Sequence, residues 1–149
     1  MRHPVIVCRA MVRPAILQSA LDCRAMDLDA FATLVSEALA ALPQEFLEKL
    51  ENVQVDIEEW PMREDLLDAG LGSRSRYSLL GLYHGVPVTE RGAFYVAFPD
   101  RISIYQKPIE AAAGPNEDDI REQVRRTVVH EIAHFYGISD ERLDELGWG

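Results

Sequence analysis

Apolar residues recur at three- and four-residue steps from Leu28, through Phe31, Leu34, Val35, Ala38, Leu39 and Leu42. That spacing predicts an amphipathic helix with Asp27 as its N-cap. Pro43 breaks this helix and opens a second one over 44–50, with Phe46, Leu47 and Leu50 facing inward. Val53, Val55 and Ile57 then alternate with Gln54, Asp56 and Glu58, the period of a strand with one wet face, ending at Trp60-Pro61. Residues 62–70 suit a short helix closed by Gly70, and 71–78 a polar surface loop. Strands are expected at 79–83 and 101–105, separated by a long irregular segment holding Gly85, Pro87, Gly92 and Pro99. A single helical turn at 109–113 precedes Gly114-Pro115.

The strongest helical signal follows. Asn116 is a good N-cap, with Glu117, Asp118 and Asp119 in the first turn where carboxylates complement the helix dipole. Ile120, Val124, Val128 and Ile132 repeat every four residues as a buried stripe, extended by Val129, Phe135 and Tyr136, and Gly137 ends the helix. Arg125 and Arg126 follow acidic residues at helical spacings, as expected of ion pairs on a wet face. A short helix over 140–146 closes the chain.

Composition narrows the chemistry. The 149 residues, 48% of them hydrophobic, suit one domain with its own core. Cys8 and Cys23 lie near the start, so the rest has neither a disulfide framework nor a cysteine metal cage, and any metal must use His, Asp or Glu. No apolar run is long enough to span a membrane. Net charge is −10; four arginines against Asp22 make residues 1–25 +3, leaving −13 for 26–149. So acidic a body excludes nucleic acid as a partner, because the phosphate backbone rewards basic surface. The leader's apolar runs are too short for a secretory core, so residues 1–25 are expected to be an extension of little fixed structure ahead of a start at Met26, and the protein to be cytoplasmic.

His130-Glu131-Ile132-Ala133-His134 stands near the C-terminal end of the strongest helix. Histidines four apart lie roughly 40° apart around a helix and one turn up, so both imidazoles can point at one cation. Glu131, about 100° from His130, can hold a water beside that metal without becoming a ligand. The pattern arises by chance in roughly one in two hundred chains of this length, so composition does not account for it. Asp140, ten residues after His130, is the candidate third ligand, with Glu141 and Asp144 as rivals.

The run from His130 to Asp140 resembles the zincin metallopeptidases, and within them the minimal zincin-like family of small bacterial proteins; the similarity includes Leu80-Gly81-Leu82-Tyr83, 99–105 and 140–143. The resemblance implies an α+β fold, a small sheet packed on helices in one domain over 26–149. It also implies Zn2+ on His130, His134 and Asp140, and Glu131 as catalytic base for peptide hydrolysis. Metzincins place His where Asp140 stands, and no methionine follows it to build their methionine-bearing turn. The expected strand at 101–105 is the candidate edge for aligning an extended peptide substrate, and Tyr83 and Tyr105 are candidates to stabilise an oxyanion, although strand tyrosines usually serve packing. His84 reads as turn surface. The rival class is a regulatory module that binds metal or a peptide without turnover; three protein ligands rather than four would favour the enzyme.

Overall fold

The computed structural model describes residues 6–9, 26–50, 52–96 and 99–147. Helix α1 (Leu28–Ala40) starts where expected, with Asp27 Oδ1 accepting from the Ala30 N–H at 2.7 Å. It buries Phe31, Leu34, Val35 and Ala38. After Pro43 the expected second helix is split into α2 (Gln44–Leu47) and a 3-10 turn, Glu48–Leu50.

Three strands form the body of the sheet: β2 (Val53–Glu58), β3 (Leu79–His84) and β4 (Asp100–Tyr105). Strand β4 lies between the other two, parallel to β2 and antiparallel to β3. Beside β3 runs a fourth strand, β1 (Ile6–Arg9), antiparallel, so the order is β1-β3-β4-β2. It falls within the segment expected to be an extension of little fixed structure; residues 1–5 and 10–25 lie outside the described ones.

The sheet order corrects one expectation. β4 is paired on both sides and all but one of its residues are buried, so it is no edge on which a peptide can add. Periodicity identifies a strand but says nothing of its neighbours.

Helices cover both faces. α1 and α5 (Glu117–Phe135) bury one face, joining Phe31, Val35, Val124, Val128, Ile132 and Phe135 to Tyr83, Ile102 and Ile104. Helix α3 (Arg63–Asp68) sits on the other, with Leu66 and Leu71 against Leu79, Leu82 and Tyr105. The turn expected at 109–113 is the end of a longer helix, α4 (Gln106–Ala113), which carries Pro108 in its first turn, where the missing N–H costs no intrahelical bond. Buried Gln106 donates to the Met26 carbonyl at 2.6 Å and to Glu110 at 2.7 Å. Helix α6 (Asp140–Glu145) ends the described chain. Among the described residues no helix is long and apolar enough to cross a membrane.

Candidate metal centre

Everything at the site hangs on how α5 ends. Asn116 Oδ1 accepts from the Asp118 N–H at 2.9 Å, and three carboxylates occupy the first turn, so the helix is well begun. The helix runs for nineteen residues, and the chain then reverses at Gly137, whose φ is +81°. The Gly137 N–H donates to the His134 carbonyl at 2.9 Å and the Ile138 N–H to the Ala133 carbonyl at 3.0 Å. This is the Schellman arrangement, which satisfies the last carbonyls of the helix. It also brings the Ile138 carbonyl back over the helix, 2.9 Å from His134 Nδ1.

That contact sets the tautomer. The only hydrogen-bond role open to Nδ1 against a carbonyl is donation, so in neutral His134 the lone pair is on Nε2. Burial holds the His134 pKa below its usual value, outweighing the Ile138 carbonyl and Asp140, which favour the charged form. The imidazole is fully buried, and its Nε2, an acceptor in that tautomer, faces an oxygen of Asp140 rather than a donor. A buried acceptor in that condition is costly unless something electrophilic meets it.

The Ile138-Ser139 turn delivers the third group. Ser139 caps α6, Leu143 anchors that helix in the interior, and Asp140 therefore stands at its first position. Its Oδ1 lies 3.0 Å from His130 Nε2 and 3.1 Å from His134 Nε2, while the rest of the side chain faces solvent. Ligand atoms about 2.0–2.1 Å from one tetrahedral zinc sit roughly 3.3 Å apart, so the two distances suit a shared ion. His130, His134 and Asp140 form the one group of three or more metal-ligating side chains found close together among the described residues. Two nitrogens and one carboxylate oxygen are a donor set that zinc accepts.

Glu131 lies on the same helix turn, fully buried, rotated away from the ligands toward β3. Glu141 and Asp144 are exposed on α6 and are not in the group. The two candidate oxyanion tyrosines do not reach the surface, in keeping with packing roles. Tyr83 is fully buried, donates to Asp100 at 3.0 Å, and has its phenol pKa pushed up by burial and by that carboxylate. Tyr105 is fully buried in the cluster around Leu66 on the sheet's other face, and its pKa is likewise raised, chiefly by burial. His84 is half-buried rather than turn surface, with its Nε2 3.1 Å from the Arg101 guanidinium.

Sequence reasoning missed the braces behind the turn. Arg91, from the long segment between β3 and β4, donates to buried Asp100 at 2.5 Å and to the Val86 carbonyl at 2.9 Å, and its guanidinium lies over the Phe135 ring at 5.2 Å. In the same segment Thr89 packs so closely on Gly137 that a Cβ there would overlap Thr89 Oγ1. An arginine after a Val-Thr-Glu turn carries no local signal of either contact.

A family model described as zincin-like metallopeptidase matches residues 50–148. No curated protein matches the chain. Among solved structures, a conserved hypothetical protein from Thermo thermophilus is 27% identical, with 80% of this chain and 95% of that one covered and a TM-score of 0.46.

Proposed function

The chain belongs to the zincin-like metallopeptidase family, and from that premise we propose that it is a zinc-dependent peptidase, with His130, His134 and Asp140 as the ligands and Glu131 as general base. The observation that carries this reading is the buried Nε2 of His134 converging with His130 Nε2 on one oxygen of Asp140, with an equally buried carboxylate, Glu131, on the same helix. Three protein donors are the number a catalytic zinc site uses, whereas structural zinc is closed by four.

Zinc supplies Lewis acidity to such a site, polarising a scissile carbonyl and acidifying the water that attacks it. The chain's own groups do the rest. The Ile138 carbonyl fixes the His134 ring and tautomer, as partners of ligating histidines generally do. Glu131 accepts the proton of the attacking water and returns it to the leaving amine. Burial of Glu131 excludes bulk water from the carboxylate on the side away from the substrate. The exposed face of Asp140 marks the side from which a peptide enters.

Incubating the zinc-loaded protein with a mixed peptide library, read by mass spectrometry, tests the reading. Cleavage is expected from the wild type, with the rate lowered roughly 10²- to 10⁴-fold in Glu131→Gln, the share a general base contributes. A zinc-loaded wild type that cleaves nothing would refute it and favour a binding module.

A further inference from the structure

Glycine in a strand interior needs a reason, because it lacks a side chain to pack and costs conformational entropy. Gly81 is buried in β3, yet it is not among the glycines with positive φ, which are Gly70, Gly114, Gly137 and Gly147. Its backbone conformation is open to alanine. What excludes a side chain is the space in front of it. A Cβ at Gly81 would lie 2.8 Å from Glu131 Oε1, 2.9 Å from Glu131 Cγ and 3.0 Å from Thr127 Cγ2. These are closer than carbon contacts in packed proteins allow.

The other wall of that space is fixed. Thr127 Oγ1 donates to the Gln123 carbonyl at 2.9 Å, which holds the methyl group toward the strand. The β1–β3 ladder is irregular at the same place: Cys8 pairs with Gly81 and Arg9 with Leu79, so Leu80 is the extra residue of a bulge. Bulges commonly re-aim a strand beside a functional site. Here the bulge adjoins Gly81, which faces α5 and the Glu131 carboxylate.

We propose that Gly81 is the positioning residue for Glu131, its missing side chain making the cradle that keeps the carboxylate where the reaction needs it. The proposal rests on Glu131 acting as the base. A methyl group at position 81 would meet the fixed Thr127 methyl on one side and the flexible Glu131 side chain on the other, so it is the carboxylate that gives way. Because Glu131 is fully buried, it has to swing to a different place rather than drift within a pocket of solvent. A displacement of about 1 Å in a catalytic group can lower turnover on the order of 10²-fold.

The test uses the full chain carrying Gly81→Ala, Glu131→Ala and both together. For zinc-loaded Gly81→Ala, the expected result is a full equivalent of zinc, KM unchanged and kcat lowered between about 10- and 100-fold. Thermal unfolding of the metal-free proteins supplies a second readout independent of turnover: Gly81→Ala should lower Tm in the wild-type background, and much less where Glu131 is already alanine. Unchanged kcat, loss of zinc, or an equal fall in Tm in both backgrounds would overturn the proposal. If the wild type cleaves no peptide, the peptidase reading fails, while the Tm comparison still decides whether Gly81 cradles Glu131.

Discussion

Individual side chains at this site are set by their partners and by burial together. The His134 ring turns Nδ1 to the Ile138 carbonyl, and burial lowers its pKa. His84, at the end of β3, shows the same effect of burial. Burial and then the Arg101 guanidinium lower its pKa, outweighing Asp65, which lies 3.7 Å away. The unfolded chain, at about 6.5, therefore binds a proton that the folded chain resists. The stability that follows is fully present above about pH 6.5 and is lost as the pH falls through the lower folded value. Urea unfolding at pH 5 and pH 7.5 with chelator present should show a smaller loss at low pH for His84→Gln than for the wild type. An identical loss would mean His84 does not resist its proton.

At the scale of elements, the end of α5 is the decisive structure, because one turn orients one candidate ligand, reverses the chain and delivers the next candidate. Gly137 meets two demands there, a left-handed φ of +81° and close packing on Thr89. Gly137→Ala should cost about 1–3 kcal/mol for the backbone alone, and by shifting Ile138 and Asp140 it should also weaken zinc binding. Denaturant titration and metal competition would check the two effects separately; a variant as stable as the wild type would contradict the account of the turn. Much of this helix was legible in the sequence because its signals are local: Asn116, the four-residue stripe, Gly137 and the histidines all lie within one stretch of chain. Features set by pairing between distant segments were not. The central position of β4, the burial of both tyrosines, the Arg91–Asp100 pair and the cradle at Gly81 depend on elements separated by 9 to 50 positions, which no periodicity records. Strand β2 shows the same limit. Its expected wet face is half-covered at Asp56 and Glu58, which face the α3 and Arg101 side of the sheet.

Across the whole molecule, the sheet serves as a plate between α3 on one side and α1 with α5 on the other, and the metal centre sits at the end where α5, its turn and α6 meet. The composition was consistent with that plan in its core content and in lacking cysteines after Cys23, which left His, Asp and Glu as the available ligands. Because the candidate ligands come from two helices joined by a four-residue turn, the site forms as the C-terminal part of the chain folds, and a metal held there would stabilise the fold. The most direct test is zinc content by elemental analysis of purified wild type, His134→Ala and Glu131→Gln after equilibration with zinc. About one zinc per chain in the wild type and in Glu131→Gln, with little in His134→Ala, is the predicted result; a wild type that takes up no zinc, or a His134→Ala that keeps a full equivalent, would contradict the assignment of this centre.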